Sequence, residues 1–386
     1  MLGLFRLAVR NALRHKLRTG LTVLGIIVAT MAFGLLRTVV DAWYAGADAT
    51  SANRLVTRNA ISLMFDLPLS YRNKIRQAEG VESVSYANWF GGIYIDEKNF
   101  FPQFAIDAAS YLDLYPEYIL SEEEKRAFMR DRQGAIAGRK LAEEYGWKVG
   151  DIIPIRGTIY AGNWSFVLRG IYRGADKKTD QTQFFFHWDN LNETVKKREP
   201  NRADKVGVYI VSIRDSGRAA EISKEIDAVF ANSLAETLTE TEKAFQLGFV
   251  AMTEAIVIAI EIVSIVIIGI IMAVMANTMA MSARERVREY ATMKALGFGP
   301  RHLVVLIFAE SLTISLSAAL AGIALIFPAA DFFASKVGTL FPVFNVSEQT
   351  LWMAFAAATC IGVVAAVFPA WRAATGSITK GLGSIG

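Results

Sequence analysis

Four apolar stretches in the chain are long enough to cross a bilayer, whose hydrocarbon core takes about 20 residues of helix. Thr19 to Leu36 carries no charge and ends on Arg37, close enough to an edge for that side chain to snorkel. Ala255 to Ala276 is rich in Ile and Val and holds one charge, Glu261. Leu303 to Phe327 holds Glu310, and Leu351 to Ala370 holds no charge at all. This pattern predicts a basic N-terminus (1–18), a first span (19–40), a large hydrophilic domain (41–250) and a second span with a preceding stalk (251–276). A loop (277–302), a third span (303–327), a short loop (328–350), a fourth span (351–370) and a tail (371–386) complete it.

The hydrophilic domain, about 200 residues, is large enough for a core of its own and reads as mixed α and β. Alternation predicts strands at Ala60–Phe65, Val81–Tyr86, Phe101–Ile106 and Val206–Ile213, with helices at Ser70–Ala78 and Ser216–Phe230. That order suggests a split ferredoxin-like unit. An insert over roughly 110–205 adds helices at Ser121–Arg132 and Arg139–Tyr145. Short strands follow at Asp151–Arg156, Ser165–Tyr172 and Gln183–His187, as in a small β-barrel or sandwich. The aromatic run Phe184–Trp188 reads as a buried strand in preference to a contact surface. From Leu234 the pattern turns helical, which predicts a stalk running into the second span. The fold class expected is a multi-pass α-helical membrane protein with four transmembrane helices and a large extracytoplasmic α+β domain.

Composition supports the bilayer reading: 53% of residues are hydrophobic, 20% are charged and the mean hydropathy is +0.31. Soluble domains carry roughly 25% charge. One cysteine, Cys360, excludes an internal disulfide framework and a Cys-based zinc cluster. His15, His187 and His302 are too scattered for an evident metal site, so none is predicted. The net charge of +4 hides a segregation. Residues 1–18, 277–302 and 371–386 hold 12 basic and 2 acidic residues, whereas 41–250 hold 27 and 30. By the positive-inside rule both termini and the 277–302 loop are cytoplasmic and 41–250 lie outside. Topology explains the basic excess without a nucleic-acid partner. The small-residue run Ala45–Ala49 imitates a signal-peptide cleavage site, but the preceding apolar stretch is long for a signal and Arg37 intervenes, so an uncleaved anchor is expected.

The loop Met281–Pro300 reads as a charged helix stopped at Gly297 and followed by a Gly-Pro break. Arg284 and Arg288 share a face, as do Glu285 and Glu289, beside the less polar Val287, Tyr290 and Ala291. Such a helix could press on a cytosolic protein or lie on anionic headgroups, and its residues leave both readings open. Glu254 and Glu261 lie nearly on one face of span two. Buried carboxylates cost on the order of 3 kcal/mol each in a membrane, so Glu261 and Glu310 call for a partner or a purpose. Glu310 is expected to meet Arg301, His302 or the charged helix, Glu254 to be interfacial, and Glu261 to form a structural pair, a polar contact at the dimer seam or a proton-sensitive element. Gly25, Gly34, Gly269 and Gly322 could permit close helix crossing.

The stretch Arg284-Glu-Arg-Val-Arg-Glu289-Tyr-Ala-Thr-Met-Lys294-Ala-Leu-Gly297 resembles the signature loop of the MacB-like/FtsX-like permease family of ABC transporters. Arg10–Gly25 is similar to that family's entry into its first span, and Phe368–Ala374 to its exit from the last. Gly138–Asp151 looks like its periplasmic core, and the lipoprotein-releasing permeases are also similar. The resemblance implies a non-catalytic, four-span subunit of a bacterial inner membrane that dimerises and sits on separate ABC ATPase subunits. Its loop would be a coupling helix, with Arg284, Glu285, Arg286, Arg288, Glu289 and Lys294 as contacts to the ATPase. No Gly-x-x-x-x-Gly-Lys-Ser/Thr phosphate loop occurs in the sequence, so ATP and Mg would bind the partner ATPase and no cofactor is expected in this chain. The resemblance further implies an amphiphilic cargo (lipid, lipoprotein, peptide or drug), membrane lipids as neighbours, and a periplasmic adaptor with an outer-membrane channel. An FtsX-like regulator of an external cell-wall hydrolase and a membrane-anchored sensor are the competing readings.

Overall fold

A computed structural model of the chain describes residues 16–337, 341 and 343–377. Two compact units emerge: one from the chain up to Asp41, Glu254–Lys336 and the chain from Phe344 on, the other from Ala42–Thr253 with Val337–Val343. Arg6, Arg10, Arg14, His15 and Lys380 lie outside the described residues. Helix α1 (Lys16–Asp48) leads to β1 (Arg54–Asn59), β2 (Leu67–Pro68), α2 (Tyr71–Arg76), β3 (Val81–Trp89) and β4 (Gln103–Ile106). Next come α3 (Tyr111–Leu114), β5 (Tyr118–Ile119), α4 (Glu122–Arg130), β6 (Gly134–Gly138) and α5 (Arg139–Tyr145). Then follow β7 (Ile152–Gly157), β8 (Gly162–Gly174), β9 (Phe184–His187), α6 (Trp188–Arg198), β10 (Lys205–Val206) and β11 (Val208–Ile213). The chain continues through α7 (Ala219–Phe230), β12 (Thr237–Thr241), α8 (Glu242–Ala251), α9 (Glu254–Glu285), α10 (Val287–Ala295), α11 (Pro300–Val337) and α12 (Glu348–Thr375).

The hydrophilic unit is organised by one mixed sheet in the order β12-β1-β11-β3-β4-β9-β6-β8-β5, with β7 paired to β8. Pairs β4–β9 and β6–β8 are parallel. The insert strands extend the sheet begun by β1, β3 and β11, and β7 returns by a bridge from Arg156 to Ile93, just beyond β3. In place of the separate small β-barrel or sandwich expected of the insert, its strands continue the one mixed sheet. Phe184, Phe185 and Phe186 are buried on both faces of β9, as the strand reading requires. Capping fixes α4: Ser121 Oγ accepts from Glu124 N, and Glu124 reaches back to Ser121 N.

Two further expectations are corrected. The helix expected from Leu234 begins only at Glu242, because Thr237–Thr241 forms β12 against β1. Thr-rich, β-branched sequence favours the strand, Thr57 and Thr239 hydroxyls meet at 2.9 Å across it, and Thr241 then caps α8. The strand expected at Ala60–Phe65 lies earlier, at Arg54–Asn59, and the following apolar residues form an exposed turn in which Ile61 is 82% exposed.

In the other unit the four apolar helices run 33, 32, 38 and 28 residues. Even the shortest would reach about 42 Å at 1.5 Å per residue, beyond the roughly 30 Å hydrocarbon core. Helix α9 buries only a narrow stripe, Val257, Ser264, Ile271, Met275 and Met279, spaced seven or four apart. Its remaining apolar surface faces outward, where lipid or a second chain is the compatible solvent. Helices α1 and α11 cross closely: a Cβ at Gly322 would lie 2.8 Å from Thr30 Cβ and 3.0 Å from Ile27 O, and one at Gly34 would strike Ile326. Gly269 has open space instead. Helices α11 and α12 are joined by Ser311 Oγ donating to Gly362 O at 2.7 Å.

Candidate functional site

The break between α9 and α10 falls at Arg286, whose backbone leaves helical geometry while its side chain turns inward. Arg286 is 4% exposed and Glu310, on α11, is 3% exposed. Arg286 Nη1 donates to Glu310 Oε2 at 2.6 Å and Nε donates to Glu289 Oε2 at 3.0 Å. Ser282 Oγ donates to Glu310 Oε1 at 3.4 Å, and the guanidinium lies 5.2 Å over the Tyr290 ring. Burial pushes the Tyr290 phenol up to about 12, so the ring stays neutral. Glu310 thus meets the charged helix, through Arg286. The two buried charges clamp α10 to α11, a pair whose desolvation is offset only because both ends are hydrogen-bonded.

The other end of α10 is closed by a Schellman turn: Phe298 N donates to Met293 O and Gly297 N to Lys294 O, both at 3.0 Å, with Gly297 at φ +92°. Lys294 Nζ donates to Ala374 O at 2.9 Å and Gly376 O at 2.7 Å, a cation on the last carbonyls of α12. Glu285 takes a two-pronged contact from Arg18, at 2.9 and 2.6 Å, joining the near ends of α1 and α9. Of the six loop residues singled out, Arg286 is therefore internal, Glu285, Glu289 and Lys294 are engaged within the chain, and Arg284 and Arg288 stand exposed. The outward face of α10 is the line Arg288, Thr292, Leu296, four residues apart, with Leu296 73% exposed and Phe298 beside it. The apolar part of that face escaped the sequence reading because charge dominated the loop; the i, i+4 spacing was the signal.

Among the intramembrane carboxylates, Glu254 is exposed in the first turn of α9. Glu261 meets Arg37 at 3.2 Å and remains half-exposed. Arg37 also approaches Asp41 at 3.4 Å, and Asp41 accepts from Ser347 Oγ at 2.7 Å and Thr350 Oγ1 at 2.9 Å. This network links α1, α9 and the capped start of α12; Asp41, Ser347 and Thr350 carried no sequence signal. The hydrophilic unit has its own buried ionic centre. Arg54 donates to Glu242 at 2.7 Å and to Glu117 at 2.6 Å and stacks 4.3 Å over Tyr115, whose hydroxyl donates to Glu242. It ties the first strand to the first turn of α8. Among the described residues no group of three or more His, Cys, Asp or Glu side chains is placed to hold a metal.

Comparison with known proteins places these features in a family. Residues 19–229 match the MacB-like periplasmic core domain and residues 261–378 match the FtsX-like permease C-terminal domain. An uncharacterized ABC transporter permease of Methanocaldococcus jannaschii is 22% identical, covering 94% of this chain and 93% of that protein. Among solved structures, the extracellular domain of the noncanonic ABC-type transporter YknZ from Gram-positive bacteria is 12% identical, with TM-score 0.36, covering 49% of this chain and all of that one (100%). The periplasmic region of MacB from Actinobacillus actinomycetemcomitans is 10% identical, with TM-score 0.36, covering 51% and 92%.

Proposed function

Because this chain belongs to the MacB-like/FtsX-like permeases of ABC transporters, we propose that it passes motion from a separate ATPase, docked on α10, to the hydrophilic unit, and thereby exports or extracts an amphiphilic cargo. It is a multi-pass membrane protein and a non-catalytic transmembrane subunit. The observation that carries the coupling proposal is the construction of α10: an exposed stripe at Arg288, Thr292 and Leu296 on a helix clamped to α11 by Arg286 and Glu310. A docking helix transmits force only if it cannot pivot on its own spans, and the buried ion pair opposes pivoting. In this reading the exposed apolar face of α9 receives a second copy of the chain. ATP and Mg belong to the ATPase, and the cargo is a lipid, lipoprotein, peptide or hydrophobic drug. An adaptor or channel would be met on the hydrophilic unit.

Affinity capture of the full chain from its own membranes tests this. Wild type should retain an ABC ATPase, recognised by its phosphate-loop sequence, and accelerate its ATP turnover. Leu296→Asp combined with Arg288→Glu should abolish both while leaving the chain in the membrane. An unaltered ATPase complex in that variant would sink the docking assignment. Cargo accumulation on loss of the chain supports transport; a wall defect without accumulation supports the hydrolase-regulator reading instead.

A further inference from the structure

A second face of α10 borders a cleft of about 210 Å³ closed on its far side by the end of α12. Val287, Tyr290, Ala291 and Lys294 line it from α10, spaced as one helical stripe, while Arg288, Thr292 and Leu296 point elsewhere. Arg284 and Arg372 complete the rim, and Phe368 and Pro369 supply an apolar wall. Among the described residues neither Arg284 nor Arg372 is paired with a carboxylate; Arg372 lies 5.2 Å over the Phe368 ring. Two uncompensated guanidiniums facing one small cleft call for an anionic ligand.

The surroundings select which anion. Val364, Phe368 and Arg372 are four residues apart on one exposed line of α12, so an apolar track runs straight to a cation. A bare phosphate would use the cation and ignore the track. The cleft is smaller than the roughly 300 Å³ at which pockets begin to enclose whole small molecules, which suits a headgroup whose chains remain outside on the helix. Basic pockets between transmembrane helices on the cytoplasmic side take phospholipid headgroups. We propose that this cleft binds one anionic phospholipid, its phosphate between Arg284 and Arg372 and an acyl chain along Phe368 and Val364. The site rests on the cytoplasmic placement of α10 proposed above, and it lies on a different face of α10 from the exposed Arg288–Leu296 line proposed to meet an ATPase. The lipid would brace α10 against α12 beside the contact made by Lys294.

Native mass spectrometry of the full chain in detergent, with phosphatidylglycerol, phosphatidylcholine and inorganic phosphate as probes, tests the site independently of any ATPase. Wild type should retain phosphatidylglycerol well above phosphatidylcholine, and equimolar inorganic phosphate should not displace it. Arg284→Gln with Arg372→Gln should lower retention about thirtyfold, at about 1 kcal/mol for each basic side chain near an anionic surface. Arg284→Lys with Arg372→Lys keeps both charges and should keep most of the binding. Equal retention of the two lipids, displacement by bare phosphate, or a glutamine pair that binds like wild type each overturns the proposal. Loss of ATPase capture with lipid binding intact would assign the two arginines to the ATPase interface and overturn it as well, while leaving the coupling proposal standing.

Discussion

Arg286 shows how one residue's direction decides its role. Its neighbours in the Arg-Glu-Arg-Val-Arg run are chemically alike, yet Arg284 and Arg288 are exposed and Arg286 is buried against Glu310. The helix break at Arg286 causes this, since it rotates the side chain out of the register that α9 and α10 would share as one rod. Removing one partner strands a charge, which costs about 3–5 kcal/mol when the pair is buried. Arg286→Ala should therefore lower thermal stability in detergent more than Arg284→Ala, which removes an exposed side chain. Exchanging the charges, Arg286→Glu with Glu310→Arg, should recover part of the loss. Equal melting temperatures for the two alanine variants would show that the pair does not clamp α10.

At the scale of elements, the spans are read from sequence with little ambiguity, because 18 or more apolar residues have few other homes in a folded chain. Short Thr-rich segments are harder. Thr237–Thr241 becomes a strand only because β1 lies beside it, and that pairing joins residues about 180 apart in sequence, as in Leu55 with Thr241. The same limit hid Arg54 with Glu117 and Glu242, and Asp41 with Ser347: each partner is ordinary until the fold brings it close. Glycines show the limit within the spans. Gly269 and Gly322 look alike in an apolar run, but only Gly322 sits where a neighbouring helix leaves no room for Cβ. Gly322→Ala should cost about 1–3 kcal/mol as an overpacked crossing, whereas Gly269→Ala should be neutral or gain up to about 1 kcal/mol in helix propensity. Unfolding in detergent of the two variants, side by side, separates them; similar stabilities would remove the α1–α11 crossing from the account.

For the whole molecule, the charge pattern and the family point the same way. The 12 basic and 2 acidic residues of the segments at one end of the spans contrast with the near balance, 27 to 30, of residues 41–250. Cations are held on the cytoplasmic side during insertion, whereas a large domain crosses largely regardless of its own charge. In the proposed topology helix α10 faces the compartment that contains ATP, and the exposed turn at Ile61 faces the other. Replacing Cys360, the chain's one cysteine, by alanine allows single reporters at Ile61→Cys and Thr292→Cys. Both positions are exposed, so a membrane-impermeant maleimide should react wherever it has access. In intact cells only the Ile61 reporter should label, with the Thr292 reporter reacting after permeabilisation. The reverse pattern would put the hydrophilic unit beside the nucleotide and leave an ATPase at α10 without fuel. Labelling of both from outside would break the four-span topology itself, since a single crossing, α9, separates residues 41–250 from the loop between α9 and α11 and must place them on opposite sides.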